Sequence, residues 1–175
     1  MRLFFAVMLP KEIQELVAKQ LVEKVPAVGY NRTKTENLHI TLLFLGEIEE
    51  NRLEEVKSKL KELETIPAFE AELSGIGQFL ERTLWLKVNG GKEELEVIVK
   101  KLFDSFEFSL PKVICHVTLA RKKPFVKDSL KELAADLDEL PFSAKFRVEK
   151  VDLVESVLLS GGPKYRVVFS QKLGV

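Results

Sequence analysis

The sequence holds one cysteine, one tryptophan, two methionines, two tyrosines and two histidines in 175 residues. The lone Cys115 can form no disulfide within the chain, which fits a reducing compartment and leads us to expect a cytoplasmic protein. No apolar run reaches the roughly eighteen residues that a membrane-spanning helix needs, so no membrane partner is expected. The apolar opening from Arg2 to Leu9 is short, and Pro10-Lys11-Glu12 closes it without a small-residue cleavage site, so it reads as a strand and not a signal peptide. Net charge is absent as well: 27 basic residues balance 27 acidic ones. That excludes an extended surface for coating nucleic acid but leaves room for a small anion site with a few local cations. The phosphate loop Gly-x-x-x-x-Gly-Lys and the nucleophile elbow Gly-x-Ser-x-Gly are missing, and Gly75-Ile76-Gly77 lacks the later glycine of a dinucleotide fingerprint. Nucleotide-driven chemistry and serine hydrolysis both lose support.

What remains is the balance of an ordinary globular chain, 46% hydrophobic and 31% charged, long enough for one domain spanning 1–175 or two intimately packed lobes. After the first strand, Ile13, Leu16, Val17 and Leu21 recur at helical spacing, and a loop from Pro26 to Asn37 carries Tyr30, Arg32 and Lys34. A strand from Leu38 to Leu45 ends at Gly46. Asn51-Arg52-Leu53-Glu54 has the spacing of a capping box, with Asn51 as the cap of a helix whose stripe is Leu53, Val56, Leu60 and Leu63. Phe69 to Phe79 and Leu84 to Val88 read as a hairpin about a Glu81-Arg82-Thr83 turn, and a helix is expected over Glu93 to Ser105. Pro111 precedes a strand from Val113 to Ala120. The basic loop Arg121-Lys122-Lys123-Pro124 leads to a helix capped by Asp128, and strands over 142–148, 151–159 and 165–173 close the chain.

Both histidines stand in the same setting. His39-Ile40-Thr41-Leu42 and His116-Val117-Thr118-Leu119 are each His-x-Thr-Leu in a β-branched, apolar stretch. On a strand, residues two apart share a face, so each motif presents an imidazole beside a hydroxyl. The surroundings echo too. The histidines are 77 apart (116 minus 39), and Phe69 and Phe142, each opening a strand near a proline, are 73 apart (142 minus 69). A duplicated lobe explains this, and two such lobes facing each other bring both motifs to a shared cleft.

A lone strand histidine is more often structural than chemical, but a matched pair suits acid and base catalysis together. One imidazole takes a proton from a nucleophile while the other gives one to a leaving group, as in-line displacement at phosphorus requires. From the residues alone, either histidine can hold either role. Thr41 and Thr118 could donate hydrogen bonds to phosphate oxygens and Arg121 could offer a bidentate guanidinium. Arg121 lies five residues past His116, hence on the opposite face unless the strand ends or bulges near Ala120. Zinc is disfavoured, since Cys115 adjoins His116 and projects the other way and no spare histidine completes a ligand set. The Arg121 to Lys123 run is equally a solvated loop or a ligand site. Tyr30, Phe79, Trp85 and Tyr165 are equally base-stacking surfaces or core.

The twin His-x-Thr-hydrophobic motifs, the opening Arg2-Leu3-Phe4-Phe5-Ala6-Val7 with Pro10 after it, and His116-Val117-Thr118-Leu119-Ala120-Arg121 resemble the 2H phosphoesterases, in particular the RNA 2',3'-cyclic phosphodiesterase branch, also called 2'-5' RNA ligase. The resemblance runs over essentially the whole chain. It implies an α+β fold of two pseudo-symmetric lobes, each with an antiparallel sheet and helices, about a central cleft. It also implies metal-independent, cofactor-free hydrolysis of a 2',3'-cyclic phosphate at an RNA 3' end to a 2'-phosphomonoester, with weak reversible 2'-5' ligation as a side activity. Separately, a monomer is expected. Carried onto this chain, His39 is the proton donor, His116 the proton acceptor, and Thr41, Thr118 and Arg121 bind phosphate. Two rival expectations use the same groups: a non-catalytic module that grips an RNA end or nucleotide, and a 2'-5' oligonucleotide phosphodiesterase.

Overall fold

The computed structural model describes residues 1–106 and 114–175. In chain order the elements are β1 (Arg2–Met8), α1 (Lys11–Gln20), β2 (Tyr30–Arg32), β3 (His39–Glu47), α2 (Leu53–Lys59), β4 (Phe69–Phe79), β5 (Thr83–Gly90), α3 (Lys92–Phe106), β6 (His116–Lys122), α4 (Leu130–Asp138), β7 (Ala144–Val148), β8 (Lys150–Leu159) and β9 (Gly162–Lys172). The expectations at Pro111 and Val113 lie outside the described residues. None of the helices among the described residues is long and apolar enough to cross a membrane.

Among the described residues the nine strands form one sheet in the order β7-β4-β5-β6-β3-β1-β8-β9, with β2 added alongside β6. All of these strand pairings are antiparallel. The two motif strands, β3 and β6, are neighbours at the middle and share a single paired position, Ile40 with Val117. Outward from that seam each half repeats: β3, β1, β8 on one side and β6, β5, β4 on the other. The equivalent of β4 is therefore β8. The Phe142 strand, which sequence spacing matched to Phe69, instead becomes β7, an edge strand paired to β4 itself.

One face of the sheet is covered and the other is open. Helix α3 turns Leu95, Ile98, Val99, Leu102 and Phe103 inward at three- and four-residue steps, and these pack with Ile40, Leu42, Val117 and Leu119 in the main core. On the opposite face a small cluster is buried, Phe4, Ala6 and Val154, with Met8 and Tyr165 packed against it. The odd and even residues of β3 and β6 are thus divided between core and open face, which leaves His39, Thr41, His116 and Thr118 half-buried on the open side.

Several boundaries differ from expectation for identifiable reasons. Residues 30–32, expected as loop, form β2, because β6 continues to Lys122 and offers them an edge: Tyr30 pairs with Lys122, Asn31 with Arg121 and Arg32 with Ala120. The Asn51 capping box does not form, since a 3-10 turn over Glu50–Arg52 puts Arg52 at the cap position with no side-chain bond. Ser129, one residue past Asp128, caps α4 by accepting from the Glu132 amide at 3.2 Å. Gly46, at φ +76, lies within β3 and does not end it. The β4–β5 turn falls at Leu80 and Glu81, both with positive φ (51 and 56). The Glu81 carboxylate offsets that strain by accepting from the Leu130 and Lys131 amides at 2.7 and 3.1 Å. Thr83 is consequently the first residue of β5, opposite Arg121.

Candidate active site

The two histidines are mounted alike. His39 Nδ1 lies 2.6 Å from the Asn37 carbonyl and His116 Nδ1 lies 2.7 Å from the Ile114 carbonyl, two residues back in each case. A carbonyl only accepts, so each Nδ1 carries a hydrogen and each Nε2 is left for chemistry. His39 Nε2 is 2.8 Å from Thr41 Oγ1, its neighbour on the same face. Asn37 is buried, 5% exposed, and its side-chain amide donates to the Pro163 carbonyl at 2.9 Å, tying the residue whose carbonyl holds His39 to the β8–β9 hairpin.

Each imidazole is walled by aromatic rings. Phe4 and Tyr165 stand 5.2 Å from His39, and Phe79 and Trp85 stand 5.3 and 5.7 Å from His116. Phe79, Trp85 and Tyr165 thus belong to the cleft, whereas Tyr30 belongs to the core. Burial is the main reason both histidines hold a proton less readily than free imidazole. Their carbonyl bonds oppose the shift, the His116 charge adds to it at His39, and the Arg121 charge adds to it at His116.

Arg121 reaches the open face through a bulge. On β5 and β6, Leu84 pairs with Ala120 but Trp85 pairs with Thr118, so Leu119 is an extra residue. Leu119 and Ala120 are both buried, and Arg121 emerges exposed on the side of His116 and Thr118. Its Nη1 donates to Thr83 Oγ1 at 3.1 Å, and its charge adds to the burial that lowers the proton affinity of His116 while opposing the burial that raises that of Tyr165. Lys122, its neighbour in the basic run, is occupied elsewhere, with Nζ donating to Glu81 at 3.2 Å and to the Asp128 carbonyl at 2.8 Å. Arg32 is likewise taken up internally by the Val25 and Glu23 carbonyls.

The first half carries the same bulge. Phe5 pairs with Leu43 and Ala6 with Thr41, leaving Leu42 extra, and Phe44 emerges 66% exposed where Arg121 emerges in the second half. Thr83 and Phe4, the cross-strand partners of Arg121 and Phe44, are the matching positions on β5 and β1.

Cys115 packs against the main core, and burial pushes its thiol up to about 11, so it stays protonated. Among the described residues no group of three His, Cys, Asp or Glu is placed to hold a metal ion. Sequence reasoning missed Asn37, Thr83 and the β2 strap. Asn37 and Thr83 are common polar residues without a pattern, and a three-residue strand has no periodicity to detect.

Fold and site together define a duplicated α+β protein with one histidine from each half at a central cleft. The model of the family described as LigT like Phosphoesterase matches twice in tandem, over residues 7–85 and 86–165, and the chain belongs to this family. Each match begins one residue after the cross-strand partner of a motif threonine, Ala6 for Thr41 and Trp85 for Thr118, so the two matches start at equivalent points of β1 and β5. They do not divide the sheet in the same way, since β4 of the first match lies on the β6 side and β8 of the second on the β3 side. Relatives named RNA 2',3'-cyclic phosphodiesterase include one from Thermotoga maritima, 30% identical over 97% of this chain and 94% of its own. Another, from Archaeoglobus fulgidus, is 32% identical over 95% of this chain and 97% of its own. Among solved structures, a Thermus thermophilus protein superposes with a TM-score of 0.82 at 28% identity, covering 98% of this chain and 97% of its own. Escherichia coli LigT in apo form shares the fold, with a TM-score of 0.81 at 24% identity over 99% and 98% of the two chains.

Proposed function

We propose that the chain opens RNA 2',3'-cyclic phosphate termini to 2'-phosphomonoesters by proton transfer between two histidines and without a metal. The observation that carries the reading is the matched mounting of His39 and His116, each with Nδ1 bound to a carbonyl two residues back and, at His39, Nε2 beside Thr41 Oγ1, on strands that adjoin at one pair. Water attacks phosphorus and the bond from phosphorus to the 3' oxygen breaks on the far side. His116 takes the proton of the attacking water and His39 delivers one to the departing 3' oxygen. Burial and then the Arg121 charge disfavour a proton on His116, which suits a base. His39 is lowered as well, by burial and the His116 charge, so its role as the acid rests on the family resemblance. Thr41, Thr118 and Arg121 hold the non-bridging oxygens as charge builds on them. A 5'-hydroxyl of a second RNA in the place of water yields a 2'-5' linkage by the same transfers, which accounts for a reversible ligation. We infer further that the chain works as a cytoplasmic monomer on the 3' ends of RNA, a reading supported by the single cysteine and the completeness of the site within one chain.

Incubating the protein, in chelator, with a short RNA ending in a 2',3'-cyclic phosphate tests the proposal. Conversion to a 2'-phosphate is expected, and an unchanged terminus overturns it.

A further inference from the structure

We propose that Arg121 is aimed into the cleft by a brace of two threonines, Thr83 on β5 and Thr33 just after β2, which makes both of them positioning residues for phosphate. The inference rests on the reading of Arg121 as a phosphate ligand. A bulge leaves local carbonyls without ladder partners, and an unpaired backbone group in a sheet interior is costly. Thr33 meets that cost at the Leu119 bulge: its hydroxyl donates to the Thr118 carbonyl and its amide to the Leu119 carbonyl, both at 2.9 Å. With the bulge held, Arg121 leaves the strand on the cleft side. Its long stem still has many rotamers, and Thr83, only 8% exposed, selects among them by accepting from Nη1 at 3.1 Å.

The choice of a hydroxyl has a physical logic. A carboxylate would hold the guanidinium more tightly but would also neutralise the charge that a phosphate needs. Among the described residues no ion pair engages Arg121. In the first half, where Phe44 replaces Arg121, the position of Thr83 is Phe4 and the pair is aromatic, with centroids 5.7 Å apart. The two cross-strand pairs differ as units, as expected if Thr83 serves Arg121.

Calorimetric titration of inorganic phosphate into the full chain reads the brace without turnover, and KM and kcat on the cyclic-phosphate RNA read it in catalysis. Thr83→Val is expected to weaken phosphate binding and raise KM by about three- to tenfold while changing kcat less, and Thr83→Ser to restore both. Thr33→Val is expected to cost about two- to threefold. With Arg121→Ala already present, Thr83→Val is expected to change nothing. Wild-type phosphate binding in Thr83→Val, an equal loss with Arg121 absent, or no phosphate binding by the wild type overturns the brace. Thr83→Ala gives the same reading should valine disturb the sheet. A wild-type protein that binds phosphate but leaves the cyclic terminus intact overturns the proposed hydrolysis and not the brace.

Discussion

Three residues past each motif threonine, two halves that otherwise repeat present opposite chemistry. Both bulge at the leucine after the threonine, both bury the next residue, and both turn the one after it onto the open face. In the first half that residue is Phe44, packed against Phe4, which also approaches Tyr165 and His39. In the second it is Arg121, held by Thr83. The shared backbone device delivers a side chain to the cleft, and the identity of that side chain decides what it can do. Aromatic rings wall both imidazoles, but the guanidinium charge bears on His116 and not on His39. Two imidazoles in similar mounts therefore have unequal electrostatics, and in-line displacement needs unequal partners.

The comparison can be broken in order of severity. Removing the imidazole from either half, by His39→Ala or His116→Ala, is expected to cut the hydrolysis rate by about a hundredfold to ten-thousandfold with the circular dichroism spectrum unchanged; full rate in either variant would end the two-proton scheme. At the seam shared by the halves, Ile40 is fully buried, so Ile40→Ala is expected to cost about 2–5 kcal/mol in denaturant unfolding, by lost transfer energy plus the cavity left behind. Arg121→Ala is expected to raise KM about tenfold or more, whereas Phe44→Ala leaves inorganic phosphate affinity within about twofold, and equal losses would show that the halves share the phosphate.

The smaller effects concern protons. Because the Arg121 charge holds the His116 proton affinity down, Arg121→Ala is expected to move the acidic limb of the pH profile of kcat/KM to higher pH. Both histidines have folded-state values below the ordinary value of about 6.5, so the unfolded chain takes up protons first as pH falls. Their contribution to stability is therefore present above about pH 6.5 and lost below it as pH falls toward the folded-state values. Urea midpoints at about pH 7.5 and about pH 5.5 should show the decline, and it should shrink in His39→Gln.

The motifs were legible because strand alternation is local: His39 with Thr41 and His116 with Thr118 share a face for the same reason in any strand. The helix stripes were legible for the same kind of reason, as in α3, where Leu95, Ile98, Val99 and Leu102 follow the helical period. Caps and turns were read one or two residues off, at Asp128 for Ser129 and at Glu81-Arg82-Thr83 for Leu80-Glu81. In those places a distant group settles the matter, as the Glu81 carboxylate does at the start of α4. The β2 strap was invisible, since its three residues are a strand only because β6 lies beside them.

By itself, then, the chain determined that there are two equivalent motif strands, that each offers an imidazole and a hydroxyl on one face, and that Arg121 sits on the wrong face of a regular strand. Only the tertiary structure decided that Ile40 pairs with Val117 at the seam, that Leu119 bulges and carries Arg121 across to the cleft, and that Tyr165 comes to stand against His39. Side-chain period is a property of consecutive residues. Register, bulges and cleft walls depend on which distant strand supplies the next hydrogen bond.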